Sequence, residues 1–137
     1  VAEQPFRVLP RLDDDNRFFW TSGADGQLRF LRCGACGYYI HPPLPQCPRC
    51  ASSDIAPSPV SGRGTVHSFT VNHQPWDGST EPWAIVLVEL DEQEGLRLTS
   101  NMVNCADDDI RVGMPVQVVF DQYEDVYFPL FEPAPAP

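Results

Sequence analysis

Two pairs of cysteines carry the clearest chemistry in this chain: Cys33-Gly-Ala-Cys36 and Cys47-Pro-Arg-Cys50, with ten residues between them. Each C-x-x-C lets a tight knuckle aim two thiolates at one point, and two knuckles complete a tetrahedron. Zinc suits such a set at Zn–S distances of about 2.3 Å, and four thiolates leave no position open for water or substrate. The site is therefore expected to hold one structural Zn2+ per chain. Gly34 and Gly37 are expected to relieve crowding in the first knuckle, because glycine tolerates positive φ. An iron centre would use the same four ligands. Two disulfides would fit a secreted chain, but no secretion signal is visible, and a thioredoxin-like pair explains one C-x-x-C and not two. Cys105 has no cysteine near it and reads as a small buried hydrophobe; as a nucleophile it lacks a neighbouring histidine.

His41, His67 and His73 are the candidates for a general base. His41 sits beside the cysteine knuckles, where a packing role is expected. His67 alternates with Phe69 and Val71 and reads as a satisfied barrel histidine. His73 opens the stretch 73–82, where no carboxylate pairs with it in sequence. Arg63 and Arg97 could grip phosphate as planar forks, or pair with nearby carboxylates. Trp76 and Trp83 flank the same stretch, and Tyr123, Tyr127, Phe128 and Phe131 crowd the end of the chain. Such aromatics either close a barrel or form a docking surface. From 126 to 131 both strand faces are apolar, which suits contact with a partner.

Charge narrows the partners. Nineteen acidic residues oppose nine basic ones, all arginine, for a formal net charge of -10 over 137 residues. Four zinc-bound thiolates bring this to about -12. A phosphate-backbone binder needs a basic stripe, so nucleic acid is not expected, nor is an anionic membrane. No apolar run approaches the roughly 20 residues of a membrane span. The expected location is cytoplasmic.

The elements that must position these residues are short. Fifteen prolines limit long helices, while 42% hydrophobic and 11% aromatic residues support a packed core. Residues 10–20 hold an Asp cluster able to cap a short helix, with Leu12, Phe19 and Trp20 on one face. A strand enters the first knuckle at Leu28–Leu31, Tyr38–Ile40 leaves it, and Pro42, Pro43 and Pro45 stiffen the approach to the second. Pro57, Pro59, Gly62 and Gly64 read as a boundary. Five strands follow: 65–72, 83–90, 96–102, 116–120 and 126–131. The expected fold is mainly β: a short N-terminal helical segment (1–23), a rubredoxin-like zinc ribbon (24–59), a five-stranded OB-fold barrel (60–131) and a Pro/Ala tail (132–137). The start at Val1 and the proline tail suit a piece of a longer protein.

These residues resemble a known family: the zinc-ribbon plus OB-fold proteins associated with acyl-CoA metabolism, long catalogued as a domain of unknown function. Phe19-Trp20, Leu28, the two knuckles, Pro42-Pro43, Ser61-Gly62-Arg63-Gly64-Thr65-Val66 and Val112-Gly113-Met114-Pro115-Val116 carry the resemblance. It covers 12–131, and the two glycine motifs are its specific part. Leu44 departs from it, where relatives carry arginine after the prolines; a phosphate contact made there would be missing here. One branch is similar to the C-terminal domain of a bacterial steroid side-chain enoyl-CoA hydratase subunit. The resemblance implies an accessory subunit that is not catalytic alone, docked to a thiolase-fold aldolase that splits a β-hydroxyacyl-CoA steroid into a ketosteroid and propionyl-CoA. It also implies a hot-dog-fold hydratase as a further partner, and a base and oxyanion donors supplied by the aldolase. Metal ligands are then Cys33, Cys36, Cys47 and Cys50. Trp76, Trp83, Tyr127, Phe128 and Phe131 are interface candidates, and Arg63, Arg97 and His73 are acyl-CoA candidates. The alternative is an acyl-CoA-binding or channelling module for a thiolase and hydratase pair. A single-strand nucleic-acid role, common among OB-folds, is opposed by the charge.

Overall fold

A computed structural model describes residues 8–73 and 83–135. Two sheets share one core. The first has three strands in the order β2-β1-β3: β1 (Leu28–Cys33) lies between β2 (Tyr39–Ile40) and β3 (Ile55–Val60). The second has five: β4 (Arg63–Asn72), β5 (Trp83–Leu90), β6 (Arg97–Asn101), β7 (Pro115–Tyr123) and β8 (Val126–Pro133), in the order β6-β5-β4-β7-β8.

That order leaves β6 and β8 at opposite ends of the sheet, and the sheet curls until they meet. A parallel bridge joins Met102 to Phe131, and the Val103 N–H donates to the Phe131 carbonyl at 2.8 Å. Ser100 Oγ donates to the Pro129 carbonyl across the same seam. The result is the expected five-stranded OB-fold barrel. Its central strand, β5, buries Ala84, Val86, Val88 and Leu90, while Trp83, Ile85 and Leu87 are half-buried on the other face. Gly64 permits the β4–β5 approach, since a Cβ there would collide with the Glu89 carbonyl and Val88.

Three expectations are corrected. The stretch 57–64 is not a bare boundary, because Pro57 and Pro59 sit inside β3, paired with Leu31 and Arg29. Proline is tolerated there because β3 is an edge strand, so its missing N–H groups can lie on the unpaired side. The Asp cluster does not cap the short helix: α1 runs over Arg17–Trp20 with Asn16 at its N-cap and no side-chain cap, followed by a 3-10 turn at Ser22–Asp25. Asp13 Oδ1 accepts from the Asp15 and Asn16 N–H groups at 2.9 Å, so the Asp cluster folds a turn before the helix begins. His67 is not inside the barrel. A β-bulge between Val66 and Ser68 breaks the alternation, and His67 is exposed.

The main core ignores the ribbon–barrel division. Phe19, Leu28, Phe30, Tyr39 and Val60 pack into one cluster with Val66, Val86, Leu98, Val116 and Phe131 of the barrel. A second, small cluster of Cys33, Ile40 and Cys47 lies under the knuckles, with Leu31, Tyr38 and Ile55 around it. No helix among the described residues is long and apolar enough to cross a membrane.

Candidate metal centre and ribbon–barrel cleft

The two knuckles have the same backbone design. In the first, the Gly37 N–H donates to the Cys33 carbonyl and the Cys33 N–H to the Tyr38 carbonyl, both at 2.9 Å. In the second, the Ala51 N–H donates to the Cys47 carbonyl and the Cys47 N–H to the Ser52 carbonyl, also at 2.9 Å. The residue after each second cysteine turns left-handed: Gly37 at φ 80 and Ala51 at φ 63. Gly34 is needed for space instead, because a Cβ there would meet the Asp54 carboxylate.

The four sulfur atoms lie within 4.8 Å of one another. Cys33 and Cys50 are 3.5 Å apart, and Cys36 and Cys47 are 3.6 Å apart. A tetrahedral zinc with 2.3 Å bonds has S···S edges of about 3.8 Å, so the set fits one closed structural zinc. The thiol electrostatics agree. The Cys33 thiol is drawn down to about 6, chiefly by the Cys36 backbone N–H, with burial opposing. Burial resists ionisation of Cys47, but the Cys50 and Arg49 N–H groups outweigh it and its thiol is lowered. Cys50 is pushed up to about 12: the Ser52 N–H favours its thiolate, but Cys33, Cys36 and Cys47 resist another negative charge beside them. A donor set that ionises in part and then holds on to a proton by repulsion is one that a dication completes. Bound there, zinc supplies a cross-link between the knuckles.

Two features of this centre have no short-range sequence signal. Gln93, in the β5–β6 turn of the barrel, clips the ribbon: its Oε1 accepts from the Tyr39 N–H at 2.8 Å and its Nε2 donates to the Tyr39 carbonyl at 3.0 Å. Two arginines also lie over the tyrosines that follow the first knuckle. The Arg32 guanidinium is 4.6 Å from the Tyr39 ring centre, and that of Arg49 is 5.3 Å from Tyr38.

Between ribbon and barrel lies a cleft of about 570 Å³. Phe19, Trp20, His41, Pro42 and Pro43 form one wall; Arg97–Asn101 and Phe128–Leu130 form the other. A ladder of rings floors it. His41 lies 4.8 Å from Phe30 and 5.5 Å from Phe19, Trp20 packs edge-on to Phe19 at 5.0 Å and to Phe128 at 5.5 Å, and Phe128 meets Tyr123 at 5.6 Å. Burial lowers the His41 pKa, so its imidazole is neutral at pH 7 and serves as part of the packing.

The other sequence candidates are dispersed. Of the acyl-CoA candidates only Arg97 lines the cleft, and its Nε is held 3.1 Å from Glu89. Arg63 is exposed at the start of β4, with no ion pair among the described residues, and His73 is exposed just past the end of β4. Trp83, Tyr127 and Phe128 are half-buried. Phe131 is fully buried in the core and is no surface residue: it faces inward where β8 closes the barrel. Trp76 lies outside the described residues. Cys105 is half-buried against the core, and its thiol pKa is raised, first by burial.

Two family models match successive parts of the chain. Residues 20–56 match the rubredoxin-like zinc ribbon domain of ChsH2, and 58–121 its C-terminal OB-fold domain. A probable enoyl-CoA hydratase alpha subunit of Thermomonospora curvata is 39% identical over 132 residues, covering 93% of this chain and 40% of the relative. The 3-oxo-4,17-pregnadiene-20-carboxyl-CoA hydratase alpha subunit of Mycobacterium tuberculosis is 36% identical over 127 residues, covering 92% and 40%. The chain thus spans two fifths of these curated relatives. A solved structure described as an Ltp2-ChsH2(DUF35) aldolase contains a chain that is 36% identical, with a TM-score of 0.80 over 91% of this chain and 98% of that one.

Proposed function

Because the chain belongs to the ChsH2/DUF35 family of zinc-ribbon plus OB-fold proteins, we propose that it is a non-catalytic docking subunit or domain of an acyl-CoA carbon–carbon lyase. Its partner is a thiolase-fold aldolase that cleaves a β-hydroxyacyl-CoA steroid. In that reaction a base removes the β-hydroxyl proton and the Cα–Cβ bond breaks. The electron pair passes to the thioester as an enolate, which is protonated to propionyl-CoA while a ketosteroid leaves. This chain is not the source of the base. His41 is neutral but packed against Phe19 and Phe30, and His67 and His73 are exposed and line neither the cleft nor the metal centre. The closed four-thiolate centre has no open position for an enolate oxygen. Half-buried Trp83, Tyr127 and Phe128 are the docking candidates on the barrel.

The observation that carries this reading is the 98% coverage of a chain from the Ltp2-ChsH2(DUF35) aldolase. Assay of the purified chain with and without a thiolase-fold aldolase tests it. Cleavage is expected only with both present, and cleavage by this chain alone would overturn the accessory role. The hydratase names of the two longer relatives support a hot-dog-fold hydratase as a further partner.

The cleft favours a second reading, in which the chain itself binds or channels acyl-CoA. Its walls are mostly apolar, and Arg97 and Thr99 stand among them. Calorimetry with the isolated chain decides this, and an absence of heat at millimolar acyl-CoA rejects it.

A further inference from the structure

In the barrel sheet the outer half of β4 has an open edge among the described residues. β4 pairs with β5 as far as Asn72, but it pairs with β7 only from Arg63 to Thr65. The N–H and carbonyl of Val66 are used by Met114 and Gly113. Beyond that point, residues 67–71 have no strand on their second side among the described residues. The side chains of His67, Ser68, Phe69 and Thr70 are exposed, with Phe69 at 38%. The stretch His-Ser-Phe-Thr-Val contains no Lys, Arg, Asp, Glu or Pro.

Sheet edges ordinarily carry a device against pairing. Several other edges among the described residues do. β3 has Pro57 and Pro59, β2 is two residues long, and β6 and β8 close on each other. The outer half of β4 instead has β-branched and aromatic residues suited to a further strand.

We propose that residues 67–71 form a strand-addition site, in which an extended segment of the thiolase-fold subunit joins the barrel sheet beside β4, resting on the reading under Proposed function. A row of alternating N–H and carbonyl groups is complementary to an extended polypeptide, and neither a nucleic acid nor a small ligand offers that pattern. The occupant belongs to a different protein and not to a second copy, because two chains of formal charge -10 repel each other. Its segment is extended and largely apolar, with basic residues at its flanks to meet this acidic chain.

Hydrogen–deuterium exchange on the full chain, alone and in complex with the aldolase, tests the proposal. Those amides of 67–71 that point away from β5 are expected to exchange at least tenfold more slowly in the complex. Phe69→Lys is expected to weaken the complex at least tenfold while the free chain keeps its melting temperature and zinc content. A complex that forms with unchanged exchange at 67–71 overturns this inference and leaves the docking reading intact. Failure to form any complex overturns both. Concentration-dependent protection of 67–71 in the chain alone identifies a second copy as the occupant and overturns the partner assignment.

Discussion

The region under the knuckles buries only Cys33, Ile40 and Cys47, whereas the barrel side of the molecule buries a continuous cluster running from Phe30 through Val86 to Phe131. The first is too small to order its own backbone and depends on metal. The second is ordinary apolar packing, proportional to area removed from water. The two are not independent, since Leu28, Phe30 and Tyr39 belong to the ribbon by sequence and to the barrel core by contact. A metal-held part and a hydrophobically held part therefore share residues, and loss of one should be felt in the other.

The sharpest way to separate them is to remove the metal. Structural zinc sites contribute roughly 10–16 kcal/mol, comparable to or above the whole stability of a small domain. Cys47→Ser, or a strong chelator, is expected to abolish soluble folded protein, and metal analysis of the wild-type chain should find one zinc per chain. A soluble metal-free chain with an intact melt would mean that the ribbon holds itself. Phe30→Ala should cost about 3–5 kcal/mol, because Phe30 is fully buried. The loss should appear as one transition by both zinc release and circular dichroism; two separate transitions would break the shared-core picture. Gln93→Ala leaves the Tyr39 N–H and carbonyl without their partners and should cost about 1–3 kcal/mol. Its effect should fall on zinc retention at rising temperature more than on the barrel melt. The smallest change is a gain. At Ala51 the left-handed backbone costs a Cβ-bearing residue about 1–2 kcal/mol, which exceeds the entropy cost of glycine, so Ala51→Gly should raise stability by roughly 0.5–1 kcal/mol in denaturant titration.

What could be read in the sequence was local. The knuckles announce themselves by spacing, and the barrel strands by alternation over five to ten residues, because both depend on neighbours along the chain. What could not be read depends on distant partners. The prolines of β3 read as a boundary because only its pairing with β1 makes an edge strand of it. The Gln93 clip joins residues 54 apart. A single inserted residue at the β4 bulge moved His67 outward, and no pattern in 65–72 marks it. In β8 both faces are apolar, so sequence could not tell Phe131, which faces the core, from the half-buried Tyr127 and Phe128. The docking candidates are correspondingly less determined by sequence than the ligands, since a knuckle specifies its own geometry and a half-buried ring does not.

The ring ladder gives the molecule an optical consequence. Trp20 stands edge-on between Phe19, which belongs to the shared core, and Phe128, which belongs to the barrel seam. With Trp76 and Trp83 replaced by phenylalanine, its indole emission should shift to the red when either side lets go, so one fluorophore reports on both the thiolate cross-link and the closure of β6 against β8.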